Sequence, residues 1–129
     1  MDAFIVEIEN RAGQLARIAG ALGDAGVNIT TGAGLGLSDT GGFAFITDDE
    51  AGARAALNNA GIMFKTVEVV IAKVADQPGG LAAATRKLAG AGVNIQFVMP
   101  VTTGGSTMGV AFGVSDAAAA RSALGDLAG

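Results

Sequence analysis

Residues 3–9 alternate strictly. Phe4, Val6 and Ile8 share one face, and Ile5, Glu7 and Glu9 the other, the period-two signature of a half-buried strand. Leu15, Ile18, Ala19 and Leu22 then recur at helical spacing. Asn10 stands before them as an expected N-cap or turn residue, and Gly26 behind them as an expected C-terminal stop. Strands are predicted at Val27–Thr31 and Phe43–Thr47, with a hairpin turn at Gly41-Gly42. Asp49 opens a short Ala-rich helix predicted to run to about Ala60. A further strand near Ile62–Glu68 follows, running into the next apolar stretch with no Gly or Pro between.

The whole pattern then recurs. Residues 13–29 and 79–95 match at 9 of 17 positions with an offset of 66. Gly42, Ala44, Phe45, Asp49, Ala51, Ala53, Arg54, Ala56 and Leu57 match Gly109, Ala111, Phe112, Asp116, Ala118, Ala120, Arg121, Ala123 and Leu124 with an offset of 67. The second copy predicts a strand around Val70, Ala72 and Val74, and a helix striped by Leu81, Ala84 and Leu88 behind Asp76 and Pro78. Strands follow at Val93–Met99 and Val110–Val114 about a Gly104-Gly105 turn, then a helix from Asp116 to about Leu127. Self-similarity of this kind marks a small domain in tandem. The first copy reads β-α-β-β-α-β, the order of a ferredoxin-like sandwich. The second reads β-α-β-β-α and lacks its last strand. The class is therefore α+β, two tandem ferredoxin-like units at 1–68 and 69–129. An open sheet edge is expected where that strand is missing, to be covered by a second copy of the chain.

The loop and helix Asp76-Gln77-Pro78-Gly79-Gly80-Leu81, followed by Ala91-Gly92-Val93-Asn94-Ile95, resembles the D-x-P-G-x-L…A-G-(I/V)-N-I signature of ACT domains. The first copy is similar but altered: Asn10-Arg11-Ala12-Gly13-Gln14-Leu15, then Ala25-Gly26-Val27-Asn28-Ile29. The resemblance covers nearly the whole chain, and its best match is the stand-alone tandem ACT proteins of bacteria, which are not fused to an enzyme. It implies regulatory binding of a small ligand, usually an amino acid, at an interface between ACT units. The ligand would sit against the loop before the first helix and the start of the second strand. The implied contacts are Asn10, Arg11, Ala12, Gly13, Gln14, Leu15, Asn28 and Ile29 in one copy, and Asp76, Gln77, Pro78, Gly79, Gly80, Leu81, Asn94 and Ile95 in the other.

The chemistry suits a zwitterion. Amides at a helix N-terminus attract a carboxylate, Gly13 and Gly79 permit close backbone approach, and Asp76 or the Asn10 carbonyl accepts from an ammonium. Asn28 and Asn94 offer both donor and acceptor. Each residue also has a plainer role. Asp76 and Asn10 can cap their helices, the two glycines can serve the turn, and the two asparagines can bind local backbone. The first copy lacks the Asp and the Pro and carries Arg11, so the sites need not be equivalent. Asp76–Leu81 is the preferred one.

Composition narrows the alternatives. The 129 residues hold no Cys and no His, which removes disulfides, thiolate nucleophiles, Cys/His zinc sites and the usual general base. No cofactor is expected, and no catalysis. Half the residues are hydrophobic but only six are aromatic, all Phe, so the core is expected to be Ala, Val, Ile and Leu. Residues 1–70 carry nine acidic and four basic groups, residues 71–129 three acidic and four basic. Neither half is a basic surface for nucleic acid. Gly42-Phe43-Ala44-Phe45-Ile46 resembles part of an RNA-recognition motif, but no basic residue precedes it and Phe43 and Phe45 are expected in the core. Gly32-Ala33-Gly34-Leu35-Gly36 hints at a dinucleotide loop but opens no helix; a flexible or ligand-facing loop is expected. Asp2 follows Met1 directly, and no apolar run could span a bilayer. The expectation is a cytoplasmic homodimer that binds an amino acid, with an enzyme partner and neither nucleic acid nor membrane. The rival expectation is a regulatory or structural subunit without a ligand, docking on a metabolic enzyme or oligomerising through its sheet.

Overall fold

The computed structural model describes residues 1–102 and 104–129. The elements run β1 (Asp2–Glu9), α1 (Gln14–Asp24), β2 (Ile29–Leu37), β3 (Thr40–Thr47), α2 (Glu50–Asn59), β4 (Lys65–Ala75), α3 (Gly80–Gly90), β5 (Ile95–Thr102), β6 (Thr107–Val114) and α4 (Ala117–Leu124), then a 3₁₀ turn at Gly125–Leu127. This is the α+β order predicted, with the second unit short of a final strand. The chain divides into compact units at Asp2–Thr66 and Val67–Gly129, Met1 grouping with the latter.

In the first unit β3 pairs antiparallel with β1 on one side and β2 on the other. In the second, β6 pairs antiparallel with β4 and β5 in the same manner. The two strands expected near 62–68 and 70–74 are one uninterrupted strand, β4, of 11 residues. It closes the element order of the first unit and opens that of the second. The edge left by the missing strand is not wholly bare. The amide of Gly129 donates to Ile71 O at 3.0 Å, and Ala128 makes an isolated antiparallel bridge to Ala72.

Local chemistry explains the helix ends. At α1 Val27 N donates to Leu22 O and Gly26 N to Gly23 O, with Gly26 at φ 75°. This is a Schellman ending, in which a left-handed glycine satisfies two terminal carbonyls. The same pair of bonds recurs behind Gly92, from Val93 N to Leu88 O, and behind Gly61, from Ile62 N to Leu57 O. Asp49 and Asp116, expected to open α2 and α4, also cap them, accepting from Gly52 N at 2.9 Å and Ala119 N at 3.0 Å.

The first hairpin departs from expectation. Leu37 pairs with Thr40, so the turn is Ser38-Asp39, with Ser38 at φ 53°. Gly41 and Gly42 lie inside β3; a methyl on Gly41 would run into the carbonyl of Leu35 across the ladder. Gly32 to Gly36, expected as a loop, is extended strand in β2. The second hairpin does turn through Gly104 and Gly105, both at positive φ.

The cores are also unlike. Leu88, Ala84, Val110, Phe112, Val114, Ala120 and Leu124 fill the second with mainly aliphatic groups. The first is organised around phenylalanine. Phe4 stacks on Phe45 at 5.5 Å, Phe45 on Phe43 at 4.9 Å, and Phe64 meets Phe4 edge-on at 5.4 Å. Such contacts add about 1 kcal/mol each beyond area burial. Phe43 and Phe45 are thus core, as expected, whereas the all-aliphatic core is not found in this unit.

Thr47 ends β3 only 8 % exposed, and its hydroxyl has no hydrogen-bond partner among the described residues. The repeat places Val114 at this position. A buried unpaired hydroxyl costs about 1–3 kcal/mol, so Thr47→Val should raise the urea midpoint by about 1 kcal/mol of stability at unchanged slope. A lower midpoint would show that the hydroxyl is satisfied in solution.

Candidate functional site

The two candidate loops leave their strands in the same way. Arg11 N donates to Glu9 O and Gln77 N to Ala75 O, each at 2.9 Å; Asn10 N donates to Asp39 O and Asp76 N to Ser106 O, at 2.8 and 2.9 Å. Each loop then enters its helix through a left-handed glycine, Gly13 at φ 92° and Gly79 at φ 85°. These glycines are the N-caps, not Asn10 or Asp76. A methyl on either would meet nothing within 4 Å, so they are glycines for their dihedral angle and not for close packing. The close approach is at Gly80, where a methyl would run into the carbonyl oxygen of Ala75.

Among the described residues no side chain caps α1 or α3, in contrast to α2 and α4. In α3 Gly80 N is taken by Gln77 O at 3.0 Å, while the amides of Leu81 and Ala82 find no partner among the described residues. Two open donors at the positive end of a helix suit an anion. Asp76, Gln77, Pro78 and Gly79 are exposed around them, and Leu81 is 43 % exposed. No hydrogen bond or ion pair engages the Asp76 carboxylate among the described residues.

The start of α1 is open in the same way, the amides of Gln14, Leu15 and Ala16 finding no partner among the described residues, but the side chains of the first loop are arranged differently. Asn10 Nδ2 donates to Ser38 O at 2.8 Å, and Arg11 Nε pairs with Glu9 Oε2 at 2.6 Å. Ala12 is exposed, Gln14 half-buried, and Leu15 exposed. Both polar side chains before this helix are therefore engaged within the unit.

The asparagines stand elsewhere. Asn28 N donates to Asp48 Oδ1 at 3.0 Å, and Asn28 O accepts from Asp48 N at 3.1 Å. Asn94 makes the equivalent pair with Ser115, at 3.2 and 3.1 Å. Their backbones are bound and their side-chain amides are exposed. Ile29 and Ile95 pack against the cores and are not open contacts.

Register separates the two halves of the expected site. Ala75, which leads into Asp76, pairs with Thr107; Ile95, which follows Asn94, pairs with Val114, as does Glu68. Asp76 and Asn94 thus lie at opposite ends of one sheet, about 23 Å apart at 3.3 Å per residue over seven steps. In the first unit Glu9 pairs with Thr40 while Ile29 pairs with Thr47, so Asn10 and Asn28 are separated in the same way. The helical pattern could not reveal this, because it contains no strand register. A shallow dent lined by Asn58, Gly61, Ile62, Met63 and Phe64 includes none of the candidate residues. Among the described residues no group of three acidic side chains is placed to hold a metal, and no helix is long and apolar enough to cross a membrane.

Two ferredoxin-like units in tandem, each with a glycine-capped helix after its opening strand, define a paired-domain α+β architecture. The model of the ACT domain pair matches residues 1–124, and the chain belongs to that family. Among solved structures it is similar to a protein from Bacteroides thetaiotaomicron, at TM-score 0.78 and 21% identity over 97% of this chain and 86% of that one. It is also similar to the ligand-free regulatory subunit of aspartate kinase from Thermus thermophilus, at TM-score 0.66 and 19% identity over 98% and 90%. Aspartate kinase from Clostridium acetobutylicum matches at TM-score 0.65 and 14% identity over 98% of this chain and 32% of that one. No curated protein matches the sequence.

Gly80 gives a test of the loop geometry. Gly80→Ala should destabilise the chain by about 1–3 kcal/mol, since α3 must move off the end of β4. Gln14→Ala, at the equivalent position of the first unit, should stay within about 0.5 kcal/mol. Equal effects in thermal denaturation would mean that both loops are equally tight.

Proposed function

We propose that this chain is a regulatory binding protein for an amino acid or similar small zwitterion, held between ACT units, with no catalysis of its own. The observation that carries the reading is the second loop: two unpartnered amides at the N-terminus of α3 beside the unengaged carboxylate of Asp76. The amides suit a ligand carboxylate and Asp76 its ammonium. The open space at Gly79 leaves room for approach. Regulatory subunits of aspartate kinase among the structural neighbours support a regulatory role.

The separation of Asp76 from Asn94 supports an interface site. A ligand touching both kinds of residue needs two units. Two sheets meeting edge to edge and antiparallel bring the loop end of one beside the asparagine end of the other. A homodimer supplies such a contact, and ligand binding there would bias assembly or docking on an enzyme partner. The cytoplasm is the proposed compartment.

A docking subunit without a ligand is the second reading, favoured by Leu35 and Leu37, which are 64 and 65 % exposed on the outer strand β2. A thermal-shift screen against the twenty amino acids separates the two. A ligand at 100 times its Kd adds about 2.7 kcal/mol. A saturable shift with one amino acid, lost in Asp76→Ala, is expected. No shift at millimolar concentrations would favour the docking subunit, and a shift unaffected by Asp76→Ala would move the site away from this loop.

A further inference from the structure

We infer that the outer edge of β2 is a homodimer seam, where two copies of the chain join β2 to β2 antiparallel about a two-fold axis at Gly34. This names an edge for the homodimer proposed above, and it stands whether or not a ligand is held at Asp76.

Each unit has an outer strand. Among the described residues β2 pairs with β3 alone and β5 with β6 alone. An unpaired edge offers its N–H and C=O groups to any other strand, and proteins protect such edges with proline, charge or bulges. β5 is protected. Its register shifts twice, between Ile95 and Phe97 and between Pro100 and Thr102, and Pro100 stands within the strand. β2 has no proline and no charged residue, and from Thr31 to Leu37 it keeps unbroken register with β3. The contrast falls on one position. Gly34 pairs with Phe43 where Pro100 pairs with Val110, and Phe43 and Val110 are equivalent under the 67-residue offset of the repeat.

The direction of the free groups selects the partner. The β2–β3 turn has two residues and closes on Leu37 and Thr40. That pair is hydrogen-bonded, so the odd-numbered residues of β2 bond inward to β3. The outward amides and carbonyls are those of Gly32, Gly34 and Gly36. An axis at Gly34, midway along the unbroken stretch, sets Gly34 against its own copy and Gly32 against Gly36. Every hydrogen-bonded pair across the seam is then glycine on glycine. Between them the exposed Leu35 and Leu37 fall opposite Ala33 and Thr31 of the second copy, each leucine against a smaller side chain. β2 presents no charge for a peptide of either sign to recognise, and it meets itself without like-charge opposition. A contact of β2 with β5 of another copy would run on as an open filament, and Pro100 lacks the donor that contact needs. The seam claims Leu35 and Leu37 for a second copy of the chain and not for an enzyme.

Sedimentation equilibrium of the whole chain, with no amino acid added, tests this. The wild type is expected at twice the chain mass at micromolar concentration. Gly34→Pro should be monomeric with unchanged far-ultraviolet circular dichroism. A methyl at Gly34 meets nothing closer than 3.6 Å, its φ is not left-handed, and β5 already holds a proline at the equivalent position. Leu35→Lys should raise the dimer dissociation constant about tenfold. It changes an exposed side chain, which keeps the test readable if the proline variant fails to fold. Val98→Lys, on the exposed part of β5, should leave the dimer as in the wild type. A wild type that stays monomeric at millimolar concentration would overturn the seam. So would a dimer that Leu35→Lys leaves intact or that Val98→Lys dissociates. The thermal-shift screen reads the ligand separately, so the seam and the ligand reading fail independently.

Discussion

Each unit depends on a left-handed glycine that turns its opening strand into a helix. Gly13 and Gly79 carry the chain from β1 and β4 into α1 and α3, and no L side chain adopts that angle without strain. The turn lays the helix against the sheet, so that Ile18 and Leu22, or Ala84 and Leu88, are buried. A second left-handed glycine, Gly26 or Gly92, then returns the chain to the sheet. Because the first glycine has no side chain to act as a cap, the open amides at the helix start follow from the same constraint. The fold and the binding chemistry proposed for it share one origin.

The duplication has preserved backbone and relaxed side chains. Turn bonds, Schellman endings and aspartate caps recur nearly bond for bond. What differs lies on top of that frame: phenylalanines against aliphatics in the cores, Thr47 against Val114, Asn10 against Asp76. A backbone frame that satisfies itself leaves its side-chain positions free to diverge, and two copies of one unit can then take separate roles.

Much of this was legible in the sequence because periodicity and capping are local. The stripes of α1 and α3, the stops at Gly26 and Gly92 and the caps at Asp49 and Asp116 are each set within a few residues. The first hairpin was not legible, since its turn uses Ser38-Asp39 and its glycines lie in the strands, where cross-strand approach at Gly41 demands them. Glycine marks both turns and close approaches, and composition does not separate the two. The role of Asn10 depends on a contact 28 residues away, beyond any local signal. The distance between Asp76 and Asn94 is a matter of register, which an alternating pattern leaves open. The phenylalanine cluster was missed because few aromatics in the whole chain suggested few in either core, whereas four converge on one.

That convergence makes the molecule a two-channel spectroscopic object. There is no Trp and no Tyr, so its near-ultraviolet circular dichroism comes from phenylalanine alone. Phe4, Phe43, Phe45 and Phe64 gather in the first unit, while the core of the second holds Phe112. The near-ultraviolet signal is therefore weighted to the first unit, and the far-ultraviolet signal is shared by both. Whether the two transitions coincide on heating reads directly on whether the units melt together or in turn, with no label or truncation needed.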